Sequence, residues 1–197
     1  MKDLLTFLND SPSQFHAVEN IRQELEQAGY TRLSESHPWE LKVGGKYYVT
    51  RNGSSLLAFR IPKADFAGFM ISASHSDSPT FHIKENAQLK GPEAYARINT
   101  EGYGGMLCAP WLDRPLTVAG RVLVKVGDAI ETRLVYVDRD LLLIPNVAIH
   151  MNREANSGLK YDQKTDTIPL MGMGQEEGAF RSIVAEVAGC APGDILG

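Results

Sequence analysis

Gly68-Phe-Met-Ile-Ser-Ala-Ser-His75-Ser-Asp77-Ser-Pro79 is an apolar run of strand length that stops abruptly at a histidine, an aspartate and a proline. Phe69, Met70 and Ile71 read as a buried strand of an α/β sheet, and ligands of such sheets sit just past the carboxyl ends of the strands. His75 and Asp77 stand at that position. In extended backbone, residues two apart point to the same side, so one side chain can hold a metal while its neighbour steadies it. A metal-ligating imidazole binds through one nitrogen and gives its other N–H to a carboxylate, which fixes the tautomer and raises basicity. His-x-Asp is the shortest sequence that supplies both parts, although another carboxylate can take the second role.

A second reading joins Ser74, Ser76 or Ser78 with His75 and Asp77 as a nucleophilic triad. It ranks below the first, because triad members meet through the fold rather than in a row, and the chain has no Gly-x-Ser-x-Gly elbow.

Composition narrows the function classes. A chain of 197 residues, 43% hydrophobic and 22% charged, is an ordinary globular protein able to bury a core. Its 20 Lys+Arg against 24 Asp+Glu give a net charge of −4 with no basic cluster, which argues against a nucleic-acid partner. No apolar run reaches the ~20 residues of a spanning helix, and the opening Met1-Lys-Asp-Leu-Leu5 lacks the pattern of a signal peptide, so no membrane role is expected. Cys108 and Cys190, far apart and outside any Cys-x-x-Cys, read as reduced thiols of a cytoplasmic protein.

From the beginning, Leu4, Leu5, Phe7 and Leu8 make a short apolar helix that Asn9-Asp10 ends. A second helix is expected to start with Ser11 as N-cap, Pro12 in the first helical position and Gln14 completing a capping box. Phe15, Val18, Ile21 and Leu25 give it one buried stripe, Gly29 stops it, and His16 lies beside the stripe as a packing or surface histidine. Thr31 to Gly45 reads as a connector in which Trp39 is a packing anchor. Lys46 to Thr50 and Ser55 to Ile61 flank Asn52-Gly53, the strongest local hairpin signal.

After Pro79 the character changes. Phe81-His82-Ile83 alternates, and the polar, Gly-rich stretch up to Gly105 reads as a domain boundary. From Pro115 onward, Leu116, Val118, Val122, Val124 and Val126 follow the period of a half-exposed strand, which Gly127-Asp128 turns back into Ile130 to Val137. Leu141 to Ile144 and Val147 to His150 are further short apolar runs, so a compact β-rich domain is expected. Glu176-Glu177 reads as the first turn of a helix over Ala179 to Val187 rather than as paired catalytic carboxylates, since adjacent side chains on a helix do not face each other. Trp111-Leu-Asp-Arg-Pro115 reads as a turn in which Asp113 and Arg114 can pair.

Several stretches resemble the aspartyl aminopeptidase family of binuclear zinc metallopeptidases. They are Leu8-Asn-Asp-Ser-Pro-Ser-Gln-Phe-His-Ala-Val-Glu19, Tyr47-Tyr-Val-Thr-Arg-Asn-Gly-Ser-Ser-Leu56, Ser74-His-Ser-Asp-Ser-Pro79 and Tyr103-Gly-Gly-Met106. Trp111-Leu-Asp-Arg-Pro-Leu116, Ala119-Gly-Arg-Val122 and Ile144-Pro-Asn-Val-Ala-Ile-His-Met-Asn-Arg153 continue the series in order. The family's form of the site is His-Thr-Asp-Ser-Pro, from which Ser76 is a mild departure. The resemblance implies that His75 ligates one of two zinc ions in the complete enzyme, that Asp77 is the catalytic carboxylate behind it, and that His150 reaches toward the substrate site of a neighbouring subunit. As strand-end residue, His150 has an alternative structural reading.

The resemblance implies an α/β fold. Residues 1–85 are expected to form the first layer of a zinc-aminopeptidase-like sheet domain, and 86–197 an incomplete, inserted β-rich dimerisation domain. The family's remaining metal ligands and its general-base Glu come later in the chain, and nothing here matches them. The implied activity is removal of N-terminal residues, Asp or Glu by the family's name, from peptide substrates by a homo-oligomer; as a fragment, the chain is expected to be inactive alone. The competing expectation is a non-catalytic oligomerisation or partner-binding module.

Overall fold

A computed structural model describes residues 3–92 and 94–197. The chain divides into two units, Met1–Ser78 and Pro79–Gly197.

The first unit opens with helix α1, Leu4–Asn9, where the Asp3 carboxylate accepts the Thr6 N–H at 2.9 Å. Helix α2 is Gln14–Gln27, and its N-cap is Ser13, not Ser11. Ser11 is already committed: its N–H donates to Leu8 O as the chain leaves α1, and its hydroxyl accepts from Asn20 Nδ2. Val18 is buried on the expected stripe, and the helix ends where Gly29, at φ +80°, lets the Tyr30 N–H return to Leu25 O.

Behind the helix lies a three-stranded sheet in the order β1 (Thr31–Arg32), β2 (Lys46–Arg51) and β3 (Ser55–Arg60), with β1 parallel and β3 antiparallel to β2. The β2–β3 turn places Asn52 and Gly53 at φ +52° and +64°, the left-handed pair that an Asn-Gly hairpin turn requires. Tyr47, Tyr48 and Val49 are buried in succession, so the central strand is covered on both faces. The Tyr48 hydroxyl reaches Glu26 of α2 at 2.6 Å, while Tyr47 accepts the Lys42 N–H at 2.9 Å from the connector. Trp39 stacks on Phe59 at 6.1 Å, as a packing anchor does.

Phe69, Met70 and Ile71 do not form the expected buried strand. Residues 61–79 have no regular secondary structure, and the three side chains are 63%, 104% and 86% exposed. An apolar run becomes a buried strand only when neighbours take its backbone groups and cover both faces, and no described strand pairs with these residues.

In the second unit a five-stranded sheet runs β4 (Thr80–Lys90), β5 (Tyr95–Tyr103), β10 (Leu170–Met173), β9 (Leu142–Leu143), β6 (Pro115–Leu116). Its first two strands lie in the polar stretch read from sequence as a boundary, and the β4–β5 register shifts between Ile83 and Gln88. Strands β7 (Ala119–Val126) and β8 (Ala129–Tyr136) form a separate hairpin closed at Gly127, φ +60°. Pro115–Leu116 therefore belongs to a different sheet from the rest of the run that reads as one strand. The core joins Ile98, Val122, Val124, Val135, Leu142 and Met171 to Phe180, Val184 and Ala185 of helix α4, Ala179–Ala188. The short helix α3, Ala155–Gly158, contributes no buried residue. Among the described residues no helix is long and apolar enough to cross a membrane.

Candidate metal centre

The segment that carries His75 and Asp77 is held by side chains rather than by a strand ladder. His75 Nδ1 and Asp77 Oδ1 are 2.9 Å apart, brought together across a backbone bend at Ser76 rather than along the extended chain that the sequence suggests. The imidazole is 91% exposed and the carboxylate 24% exposed, so the pair has an open end at the histidine and a sheltered end at the aspartate. With Asp77 accepting an N–H at Nδ1, the lone pair falls on Nε2, the tautomer a metal-binding imidazole needs. Between the two, the Ser76 hydroxyl donates to the Ser54 carbonyl at 2.7 Å. It is therefore turned to the hairpin and not to His75, which removes support from a Ser76 triad.

The other histidines stand in different settings. His16 Nδ1 lies 2.8 Å from Ser13 Oγ, and partial burial pushes its pKa down from the ordinary value. His82 stacks on the Tyr103 ring at 4.2 Å on the β4–β5 face. His150 is exposed in a turn where Met151 N–H donates to Ala148 O; Val147 to His150 is not a strand, because its backbone closes turns instead of extending beside a neighbour. It belongs to the second unit, as His75 belongs to the first.

Glu176 and Glu177 precede α4 rather than filling its first turn, since Gly178, at φ +84°, is the N-cap. The Glu176 carbonyl accepts from Gln88 Nε2 at 2.8 Å and from the Ala179 N–H at 3.1 Å, a structural use of the backbone. Asp113, at φ +55°, accepts the Asn146 N–H at 2.8 Å and so pins the turn after β9.

Zinc is bound by imidazole nitrogen and carboxylate oxygen, so His75 with Asp77 behind it fits as one arm of a zinc site. Among the described residues no cluster of three or more His, Cys, Asp or Glu is present. Sequence reasoning found the histidine and its aspartate because they are local. It missed the Ser76–Ser54 bond, which spans 22 residues and whose only sequence signal is the Asn-Gly turn that aims the carbonyl.

The family model for aminopeptidase I zinc metalloproteases (M18) matches residues 7–193. The protein named "Probable M18 family aminopeptidase 2" of Clostridium acetobutylicum is 46% identical over 176 residues, 87% of this chain and 41% of its own length. A chain in the cryo-EM structure of the Ape4 and Nbr1 complex superposes with a TM-score of 0.90 at 34% identity, covering 99% of this chain and 42% of that one. Chaetomium thermophilum mApe1 gives 0.83 at 31% identity, covering 98% and 47%. The 197-residue chain thus spans less than half the length of each of these three proteins. With the match running from Phe7 to Gly193 and through the His75–Asp77 segment, the chain belongs to the aminopeptidase I zinc metalloprotease (M18) family.

Proposed function

We propose that the whole protein of which these 197 residues are part is a zinc-dependent aminopeptidase acting on acidic N-terminal residues of peptides, with two ions per site. The observation that carries the reading is the His75–Asp77 pair at 2.9 Å, its imidazole open and its carboxylate sheltered, inside a family match of zinc peptidases. His75 would hold zinc through Nε2. Asp77 keeps the ring in the right tautomer and supplies negative charge behind it. When bound, zinc polarises the scissile carbonyl and lowers the pKa of a water enough to make it a nucleophile at neutral pH. The remaining ligands and the general base come from outside this chain, as do the strands that would flank Phe69 to Ile71.

The second unit serves assembly in this reading: the whole protein is a cytoplasmic homo-oligomer, and His150, exposed at its turn, contacts substrate in a neighbouring subunit. Leu123, Ile130 and Leu134, exposed on the β7–β8 hairpin, supply apolar surface for that contact. The same surface favours the competing reading, in which the chain is a non-catalytic oligomerisation module.

Elemental analysis and release from an Asp- or Glu-aminoacyl fluorogenic substrate decide between them. In the whole protein, His75→Ala should remove most activity and part of the zinc. Full activity and full zinc in that variant would sink the assignment of His75. Light scattering across a dilution series tests the oligomer, which a strict monomer at every concentration overturns.

A further inference from the structure

We propose that Ser76 and the hairpin turn Asn52-Gly53-Ser54 form a positioning clamp that sets the geometry of the His75–Asp77 pair. The inference rests on the reading of His75 as a metal ligand, and its experiment separates the two.

From Ile61 to Pro79 there is no regular secondary structure, so no ladder of backbone bonds fixes the direction of the His75 side chain. Along residues 67–79 only Ser76 and Asp77 are half-buried; every other residue of that stretch is exposed. Shelter is thus confined to the residue that holds the segment to the hairpin and the residue that holds the imidazole. The Ser76 hydroxyl donates to Ser54 O at 2.7 Å. The backbone bends at Ser76, so with the Ser76 hydroxyl held against the hairpin the bend is fixed in place, and the residues on its two sides, His75 and Asp77, meet across it at 2.9 Å.

The acceptor is itself fixed. Asn52 and Gly53 hold φ of +52° and +64°, and the Ser54 N–H returns to Arg51 O at 3.1 Å, so the Ser54 carbonyl is carried by a turn with one available shape. Arg51 pairs with Ser55 in the β2–β3 ladder, which extends that rigidity into the buried strand β2. A ligand on irregular backbone needs such support, because a site with correct residues and loose placement binds metal weakly. Ser76 is a positioning residue: it touches neither metal nor substrate and acts through His75 and Asp77.

The test uses the 197-residue chain, Ser76→Ala, Ser76→Thr, Gly53→Ala and the double variant Ser76→Ala/Gly53→Ala. Backbone order parameters at His75 and Asp77 are measured by NMR relaxation in the 197-residue chain, and Zn(II) alone is titrated into the metal-free whole protein carrying the same changes. Ser76→Ala should lower the order parameters from about 0.85 to below about 0.6, and weaken zinc binding about tenfold. Ser76→Thr, which keeps the hydroxyl, should restore both. Gly53→Ala, strained at positive φ, should reproduce the loss, and the double variant should be no worse than either single change. Unchanged order in Ser76→Ala, failure of the threonine rescue, or additive losses would each overturn the clamp. Order changes as expected, with no zinc response in the parent whole protein, would uphold the clamp and remove the metal reading. Equal zinc binding in parent and Ser76→Ala, with order intact, would do the reverse.

Discussion

The Tyr48 hydroxyl donates to the Glu26 carboxylate across 2.6 Å, joining the central strand β2 to the last turns of α2. Glu26 also meets Arg22 at 2.7 Å, and Arg22 forks onto Glu19 at 2.6 and 2.7 Å. The hydrogen bond from Tyr48, and after it Arg22, hold the Glu26 carboxyl below the usual glutamate range. Burial, and then the neighbouring carboxylate, push the Tyr48 phenol up. Tyr48→Phe removes the hydroxyl and leaves the ring. Loss of one such bond should lower the melting midpoint of the first unit by about 4–8 °C. Fluorescence of Trp39 in a Trp111→Phe background reads that unit alone, and an unchanged midpoint would show that the bond carries no stability.

Acid should weaken the same unit in two separable windows. His16 has its pKa lowered by burial, so the unfolded imidazole takes its proton first. Its contribution is complete above about pH 6.5 and is lost as the pH falls through the lower folded value. Glu19, Glu26 and Glu35 are held low, chiefly by hydrogen bonds from Arg22, Tyr48 and Arg51 respectively, so their contributions persist down to about pH 4.3 and are lost below it. Urea midpoints followed by Trp39 fluorescence should show both limbs. His16→Gln should flatten the upper one and leave the lower; loss of the lower limb with the upper retained would reverse the assignment.

The sequence was most informative where structure is local. Asn52-Gly53 fixed the hairpin register because its turn needs positive φ twice in succession, and the 3.6-residue stripe of Phe15, Val18, Ile21 and Leu25 located α2. The cap moved from Ser11 to Ser13 because two serines flank Pro12 and tertiary bonds decide between them. Phe69 to Ile71 failed as a buried strand for the opposite reason: apolarity states a need for neighbours and cannot supply them. Likewise β4 and β5 pair over polar residues such as His82 with Glu101, which no hydrophobic period announces. Of the site, the histidine and carboxylate two residues apart were legible, and the bond that holds them to the hairpin was not.

Amide hydrogen exchange should report the difference between the two kinds of segment. Phe69 to Ser74 have exposed side chains and no ladder, whereas β7 and β8 are paired from Ala119–Tyr136 to Val126–Ala129. Protection should be weak along the first and strong in the ladder amides of the second. Strong and uniform protection from Phe69 through Ser74 in the isolated chain would show that the segment has partners there after all.

The role of Asp77 can be separated from that of His75 by a change that keeps the hydrogen bond and removes the charge. Asp77→Asn retains an oxygen able to accept from His75 Nδ1, so ring placement is preserved in the first instance. What is lost is the negative charge that raises the basicity of the far nitrogen, together with the certainty of tautomer, since the amide can also turn its NH2 toward the ring. In the whole protein Asp77→Asn should therefore weaken zinc binding about 10- to 100-fold, the range for partners standing behind a metal-bound histidine. His16→Ala and His82→Ala should leave zinc affinity unchanged, because one ring is engaged with Ser13 and the other is stacked on Tyr103. Competition titration against a chromogenic chelator measures all three variants on one scale. Native affinity in Asp77→Asn would show that the carboxylate only props the ring, and a loss in His82→Ala alone would move the metal to the second unit.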